Sequence, residues 1–330
     1  MLSGALSQLG PYLIHPERAA DGSIRGGMFR ERVTLPTIYG NLVPCYDASD
    51  GRKKYRNAVE FYPDGSLRSI YLQEAMEIET PIGKLAGELM TFYPNGALKR
   101  IFPSYGQISA YWSGQEEAER VAAVRYQAGG RTFDVRPECT AFYLSGALRS
   151  VTLWPQDTLT LQTPAGELIT SVGVELREDG RLLGTEPSYG TVLETEYGRI
   201  HPSDPTARRM DAEHGSLRFG PAEEVESFRT VRDGILASSR IGRERIWIVP
   251  LFGNGKSAGT GTEPSDGQAT AAGDGIEEGS GRNESLGGQH FETRMPMEVT
   301  FISSGLQVLR PGEPELVLPR GCYDLAFEQI

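Results

Sequence analysis

The chain has 330 residues, 38% of them hydrophobic, with a formal net charge of -11 and a pI near 5.1. That length supports one large or two ordinary domains with a well-buried core. The acidic balance speaks against nucleic acid and against an anionic membrane surface as partner, since both repel such a protein wherever it lacks a local basic patch.

The first residues, MLSGALSQLGPYLIHPERAADG, show no leader pattern. No run approaches the roughly 20 apolar residues of a membrane helix. Cys45, Cys139 and Cys322 stand far apart, with no CxxC or Cys/His spacing. Neither a disulfide framework nor a zinc site is signalled, and a reducing cytoplasm is the expected setting.

Going along the chain, one turn phrase recurs. It begins weakly as ADGSIR around Gly22. It is clear as FYPDGSLR (Phe61–Arg68), FYPNGALK (Phe92–Lys99) and FYLSGALR (Phe142–Arg149). Worn copies follow at LREDGRLL (Gly180), VRDGIL (Gly234) and FISSGLQVL (Gly305). A second phrase, T-x-x-G-x-[LI], alternates with it at Gly40, Gly83, Gly166 and Gly198, and AEHGSL (Gly215) lacks only the Thr. A third, PSYG, ends at Gly106 and at Gly190. The two turn phrases keep intervals of 18, 18, 20 and 18 residues between their glycines. Chance does not preserve such spacing.

The chemistry of the phrases is that of turns. Pro presets φ, Asp or Asn tolerates the next position, and Gly supplies φ > 0. Flanked by alternating strands, each phrase reads as a β-hairpin tip. Gly65, Gly83, Gly96, Gly106, Gly146, Gly166, Gly180 and Gly190 are the expected turn residues. The prediction is an all-β protein of repeated antiparallel hairpins with little helix. One repeat domain is expected over 1–252 and 291–330, with modules at about 19–56, 58–112 and 140–197 and a degenerate one at about 198–245. One parity conflict stands out. Ile70, Ile101 and Val151 share parity with Arg68, Lys99 and Arg149, so each face carries some apolar residues. A curved or rolled sheet, covered in places on both faces, would account for that.

Two stretches break the pattern. SGQEEAERVAAVRY, starting at Ser113, has a helix N-cap and an acidic first turn, which predicts one or two helical turns. Residues 253–290 are rich in Gly, Ser, Thr and acids and nearly free of large apolar residues, which predicts a disordered loop within the domain.

Motifs for chemistry are sparse. VPLFGNGKS approaches a phosphate loop at Gly255, Lys256 and Ser257, but Pro250 replaces its leading Gly and no helix former follows. His15, His201, His214 and His290 form no metal-binding spacing, although His201 and His214 follow late turns and could meet across a sheet. No G-x-S-x-G is present. Acids such as Glu60, Glu88, Asp157 and Glu175 are scattered over strands, where solvated faces paired with Arg or Lys are the simpler reading than a catalytic pair. So are Glu77, Glu79 and Glu167. Arg25, Arg68, Lys99 and Arg149 hold one slot of the turn phrase and form a candidate basic binding ladder. Leu183 interrupts it. Edge protection and pairing with acids are the structural reading of the same residues. The aromatic pairs Phe61–Tyr62, Phe92–Tyr93 and Phe142–Tyr143 read as hairpin packing before a sugar platform.

These three phrases resemble the variant MORN repeats (membrane occupation and recognition nexus) of bacterial proteins, F-Y-x-[DN]-G-x-[LI]-[KR], over about residues 19–240. The chain lacks the further glycines of the classical pattern. The resemblance implies a hairpin-repeat scaffold that meets a protein partner, and it implies no catalytic residue; no metal or cofactor is expected from the residues. The expected function is thus a non-catalytic interaction protein of the cytoplasm. A carbohydrate binder or hydrolase with a carboxylate-lined groove, and a membrane-surface binder using the basic ladder, are the alternatives.

Overall fold

The computed structural model describes residues 4–47, 57–104, 119, 121–205, 212–252 and 294–330. Among them the protein is all-β and antiparallel. Helix is limited to Ala5–Leu9 and the 3-10 turns Gly10–Tyr12 and Ala212–His214. Contacts divide the chain into two compact units where one repeat domain was expected. The first is Met1–Thr191 with Arg208–Val225; the second is Val192–Ala207 with Glu226–Ile330. The tract 253–290 and Gly106 lie outside the described residues.

In the first unit each copy of the F-Y phrase builds one hairpin of a large sheet. Val59–Phe61 pairs with Leu67–Thr80, Gly83–Phe92 with Leu98–Phe102, Pro137–Phe142 with Leu148–Leu153, and Gly173–Leu176 with Leu182–Thr185. These hairpins lie side by side in chain order. Ile14–Arg18 with Ile24–Met28 precedes them and Leu217–Phe219 follows.

The tips explain the phrase. Tyr62 N–H donates to Ser66 O and Gly65 N–H to Tyr62 O, both at 2.9 Å, which closes a three-residue loop on a left-handed residue. Gly96, Gly146 and Gly180 repeat this with φ of 86, 88 and 82°. The acid or amide of the phrase is a hydrogen-bond acceptor as well as a turn former. Asp64 Oδ1 takes the Ser66 N–H at 2.9 Å, and Asn95 Oδ1 takes the Ala97 N–H at 3.1 Å. A further copy, hidden from the phrase, closes at Gly220–Glu224, with Glu223 at φ 61° in place of glycine.

The T-x-x-G phrase makes a second kind of hairpin. Thr37, Thr80, Thr163 and Thr195 each donate a hydroxyl to the carbonyl of the glycine three residues on, at 2.6–2.9 Å. Two weaker copies, one of each phrase, do not form hairpin tips. AEHGSL lacks the closing Thr, and its residues Ala212–His214 are a 3-10 turn instead. Gly234 lies inside the strand Asp233–Ser239, where a Cβ would stand 2.8 Å from the Trp247 ring.

Bulges resolve the parity conflict. Phe61 faces Leu67 while Glu60 faces Ser69, so Arg68 is an extra residue. Lys99 and Arg149 are extra in the same way, as Phe92 faces Leu98 while Thr91 faces Arg100, and Phe142 faces Leu148 while Ala141 faces Ser150. A bulge turns two consecutive side chains to one face. The strand beyond it is therefore out of step with the turn before it. As a result one face carries an unbroken row, Val59, Ile70, Met90, Ile101, Thr140, Val151, Val174, Thr185 and Leu217, all at most 1% exposed.

The T-x-x-G hairpins cover that apolar face. Leu35, Leu42, Ile78 and Leu85 pack in one cluster with Phe61, Phe92 and Phe142. Burial of each such side chain is worth about 2 kcal/mol. Of the stretch after Ser113 in which one or two helical turns were expected, residues 113–118 and 120 lie outside the described residues; the strand Val124–Ala128 follows, paired with Arg131–Val135. Its alternation sends Tyr126 and Phe133 inward, and the Tyr126 hydroxyl meets Thr140 Oγ1 at 2.7 Å, satisfying one of the row's two threonines; the other, Thr185, donates to Gly173 O at 2.6 Å.

The second unit has the meander Met297–Ile302, Gly305–Leu309 and Leu316–Pro319, and a three-stranded sheet in which Asp233–Ser239 lies between Arg245–Ile248 and Tyr323–Gln329. Phe228, Phe301 and Phe327 pack their rings together with Tyr197. Leu251–Phe252 pairs with Arg294–Met295, joining the two sides of the undescribed tract.

Candidate functional site

The opposite face of the large sheet is polar. Its row runs Glu60, Ser69, Thr91, Arg100, Ala141, Ser150, Glu175, Gly184 and Arg218 across successive strands. Small residues alternate with charged ones, so the row forms the floor of a trough. The bulges place Arg68, Lys99 and Arg149 beside this floor, two strands apart, or about 10 Å at ordinary strand spacing. Arg25 holds the same slot two strands before Arg68.

The tyrosines of the repeated phrase frame the trough. Tyr62, Tyr93 and Tyr143 each donate a hydroxyl to the next hairpin, to Phe92 O at 2.8 Å, Phe142 O at 2.9 Å and Leu176 O at 2.7 Å. Arg177 continues the series to Phe219 O at 2.6 Å. The basic residue then lies over the tyrosine of its own hairpin. Lys99 sits 5.6 Å from the Tyr93 ring and Arg149 5.7 Å from the Tyr143 ring. The Phe–Tyr pairs are thus packing and stapling elements, with Phe buried and Tyr linking repeats.

One half of the trough is closed and the other open. Over the closed half lies the short segment Ala212–His214, anchored by Ala212 N–H to Thr152 Oγ1 at 3.2 Å. Its Glu213 drops a carboxylate between two arginines, 2.9 Å from Arg100 and 3.0 Å from Arg149. Ser150 Oγ donates to the same carboxylate at 3.1 Å. Glu175, beside it, binds Arg218 at 3.2 Å and Arg149 at 3.8 Å. Burial raises the pKa of Glu175, against the opposing charge of Arg218. A Cβ on Gly215 would stand 2.0 Å from the backbone of Thr185, so only glycine lets this segment lie so close.

The open half is a cavity of about 470 Å³. Ser69 and Thr91 form its floor, Arg68, Lys99 and Arg100 one side, and Tyr71, Leu89 and Phe102 the other. Lys99 has no ion pair among the described residues. Arg68 reaches Glu60 at 3.9 Å with both side chains well exposed, a contact that water and salt weaken.

The remaining candidates are structural. Glu77 and Glu79 flank Lys84 at 3.6 Å, Asp157 binds Arg136, and Glu167 accepts from Gln162. In the second unit His201 Nδ1 meets Asp233 Oδ1 at 2.7 Å, and Asp233 Oδ2 also accepts from His201 N–H and Thr230 Oγ1. That knot ties His201 to the turn between Thr230 and Asp233, and the side chain of His214 lies outside the described residues. No group of three potential metal ligands occurs among the described residues. Cys45 and Cys139 are buried and take part in no disulfide.

Sequence reasoning found Arg68, Lys99 and Arg149 and missed Arg100 and Glu213. Arg100 had a local signal, since it directly follows the bulge residue. Glu213 had none, because it reaches the trough from a segment far along the chain. No family model, curated protein or solved structure matches the chain.

Proposed function

We propose that the chain is a non-catalytic β-hairpin repeat scaffold that receives a protein partner on the polar face of its first unit. The open half of the trough carries this reading. It is a concave, mixed surface with apolar residues along one side and cations along the other, the composition of a recognition site. The likeness to variant MORN repeats of bacterial proteins supports a scaffold role, and cysteines outside any disulfide suit a reducing cytoplasm. Hydrolysis is less well supported. Among the described lining residues Glu60 is the one carboxylate, and a glycosidase needs two about 5–10 Å apart across its cleft.

A photo-cross-linking amino acid at Thr91, inside the trough, tests the reading in cells. A discrete protein adduct is expected there and none from the same group at Thr160, on an exposed ribbon position. No adduct at Thr91, or equal adducts at both positions, would discard it.

A further inference from the structure

We infer that the open groove seats carboxylates of an acidic, extended protein segment, and that Glu213 of this chain shows how one is held; the inference rests on the binding reading above. The argument is one of repeated geometry. Arg149 and Ser150, a bulge residue and its successor, grip the Glu213 carboxylate by an ion pair at 3.0 Å and a hydroxyl bond at 3.1 Å. Arg68 and Ser69 are the same two residue types in the same bulge register, on the same face, four strands away. They line the open groove, with Lys99 and Arg100 two strands further on along the same side. The Arg–Ser part of the frame that holds a carboxylate in the closed half is therefore repeated, although Gly26 stands in the register place of Arg100, and no segment among the described residues lies over it as Ala212–His214 does over the closed half.

Charge complementarity selects the occupant. Arg68 and Lys99 place positive charge in the cavity of a chain whose formal net charge is -11, with Glu60 the one carboxylate in the described lining and Arg100 already engaged by Glu213. Carboxylates match this, being the ligand the neighbouring seat already holds. The far side, Tyr71, Leu89 and Phe102, offers contact to an apolar side chain set between acids. An extended segment rather than a lone ion fits a trough that runs across several strands.

The probe is fluorescein-labelled hexaglutamate, titrated with the full chain at low salt and read by fluorescence anisotropy. Saturable binding is expected. Lys99→Glu should weaken it by about tenfold or more, since it places a like charge in the seat. Lys99→Ala gives the same sign if the reversal disturbs folding. Ser69→Ala should weaken it less. Arg245→Glu, an equal charge change on an exposed strand of the second unit, should leave it unchanged. Absence of binding to the unaltered chain, or equal losses in Lys99→Glu and Arg245→Glu, overturns the inference. So does binding of phosphatidylserine vesicles that Lys99→Glu abolishes while hexaglutamate fails to bind. If Thr91 cross-links to a partner and hexaglutamate still fails, the acidic occupant falls and the scaffold reading stands; if both fail, both fall.

Discussion

The two halves of the trough share one frame and differ in what lies over it. In the open half, Arg68 and Lys99 project from bulges beside a floor of Ser69 and Thr91, Arg68 exposed and Lys99 half-buried. In the closed half, Arg149 projects from the same bulge beside Ser150, but the segment Ala212–His214 has filled the space and its carboxylate has taken the charge. A repeat therefore fixes backbone course and side-chain direction without fixing function. A basic residue at one repeat position is a structural ion-pair partner in one copy and an available cation in another. The local phrase is almost the same, LRSIYL against LRSVTL. The difference comes from residues about sixty positions downstream.

Removing Glu213 should break this contrast most strongly. Its side chain is 4% exposed and bridges Arg100 and Arg149, both about 30% exposed. Glu213→Ala leaves two arginines facing each other under partial cover. Loss of one partner from a buried ion pair costs about 3–5 kcal/mol, and partial access to water places this one near about 3. Urea unfolding reads the change. A loss under about 0.5 kcal/mol would mean that the segment is not seated in solution and that both halves are open. The tyrosine staples give a smaller effect and a direct comparison of the halves. Tyr62→Phe and Tyr143→Phe each remove one hydroxyl bond to the next hairpin, at 2.8 and 2.7 Å. Each should cost about 1 kcal/mol, because the staple belongs to the frame and not to the cover. A clearly larger loss for Tyr143 would show that the covering segment strengthens the frame beneath it.

Those staples also show what was legible in the sequence. Turn positions were readable because φ > 0 leaves few residue choices, and Gly65, Gly96 and Gly146 announce themselves. Glu223 adopts the same conformation without glycine, so that hairpin was invisible; its carboxylate is held by Arg131 and by Leu182 N–H, contacts no pattern search could supply. The bulges appeared in the sequence only as a parity conflict, because a single inserted residue changes which side chains share a face while leaving the alternation intact on either side. The helical turns expected after Ser113 fall on residues 113–118 and 120, outside the described residues, but the end of that stretch reads as a strand. Its later residues also alternate, and Tyr126 and Phe133 found a sheet to cover. Half of the candidate site, the basic slot, was local and readable; the other half, Glu213, depends on tertiary return and was not.

The smallest expected effect is a pH slope, and it reports on the cover itself. Glu175 is 6% exposed beneath the returning segment, and burial holds its carboxyl above the ordinary value of 4.5. The folded chain then binds this proton more tightly than the unfolded chain does. Its contribution to stability is fully present below the unfolded value and diminishes as pH rises through the folded one. Chemical unfolding between pH 4 and about 7 should show a falling component that Glu175→Gln removes, since Gln cannot titrate. The arginines nearby oppose the shift, which keeps the slope shallow. If Glu175→Gln leaves the pH profile unchanged, solvent reaches this carboxyl in the folded chain. The closed half would then be covered less tightly than the Gly215 approach to Thr185 demands, and the contrast between the halves would be one of degree.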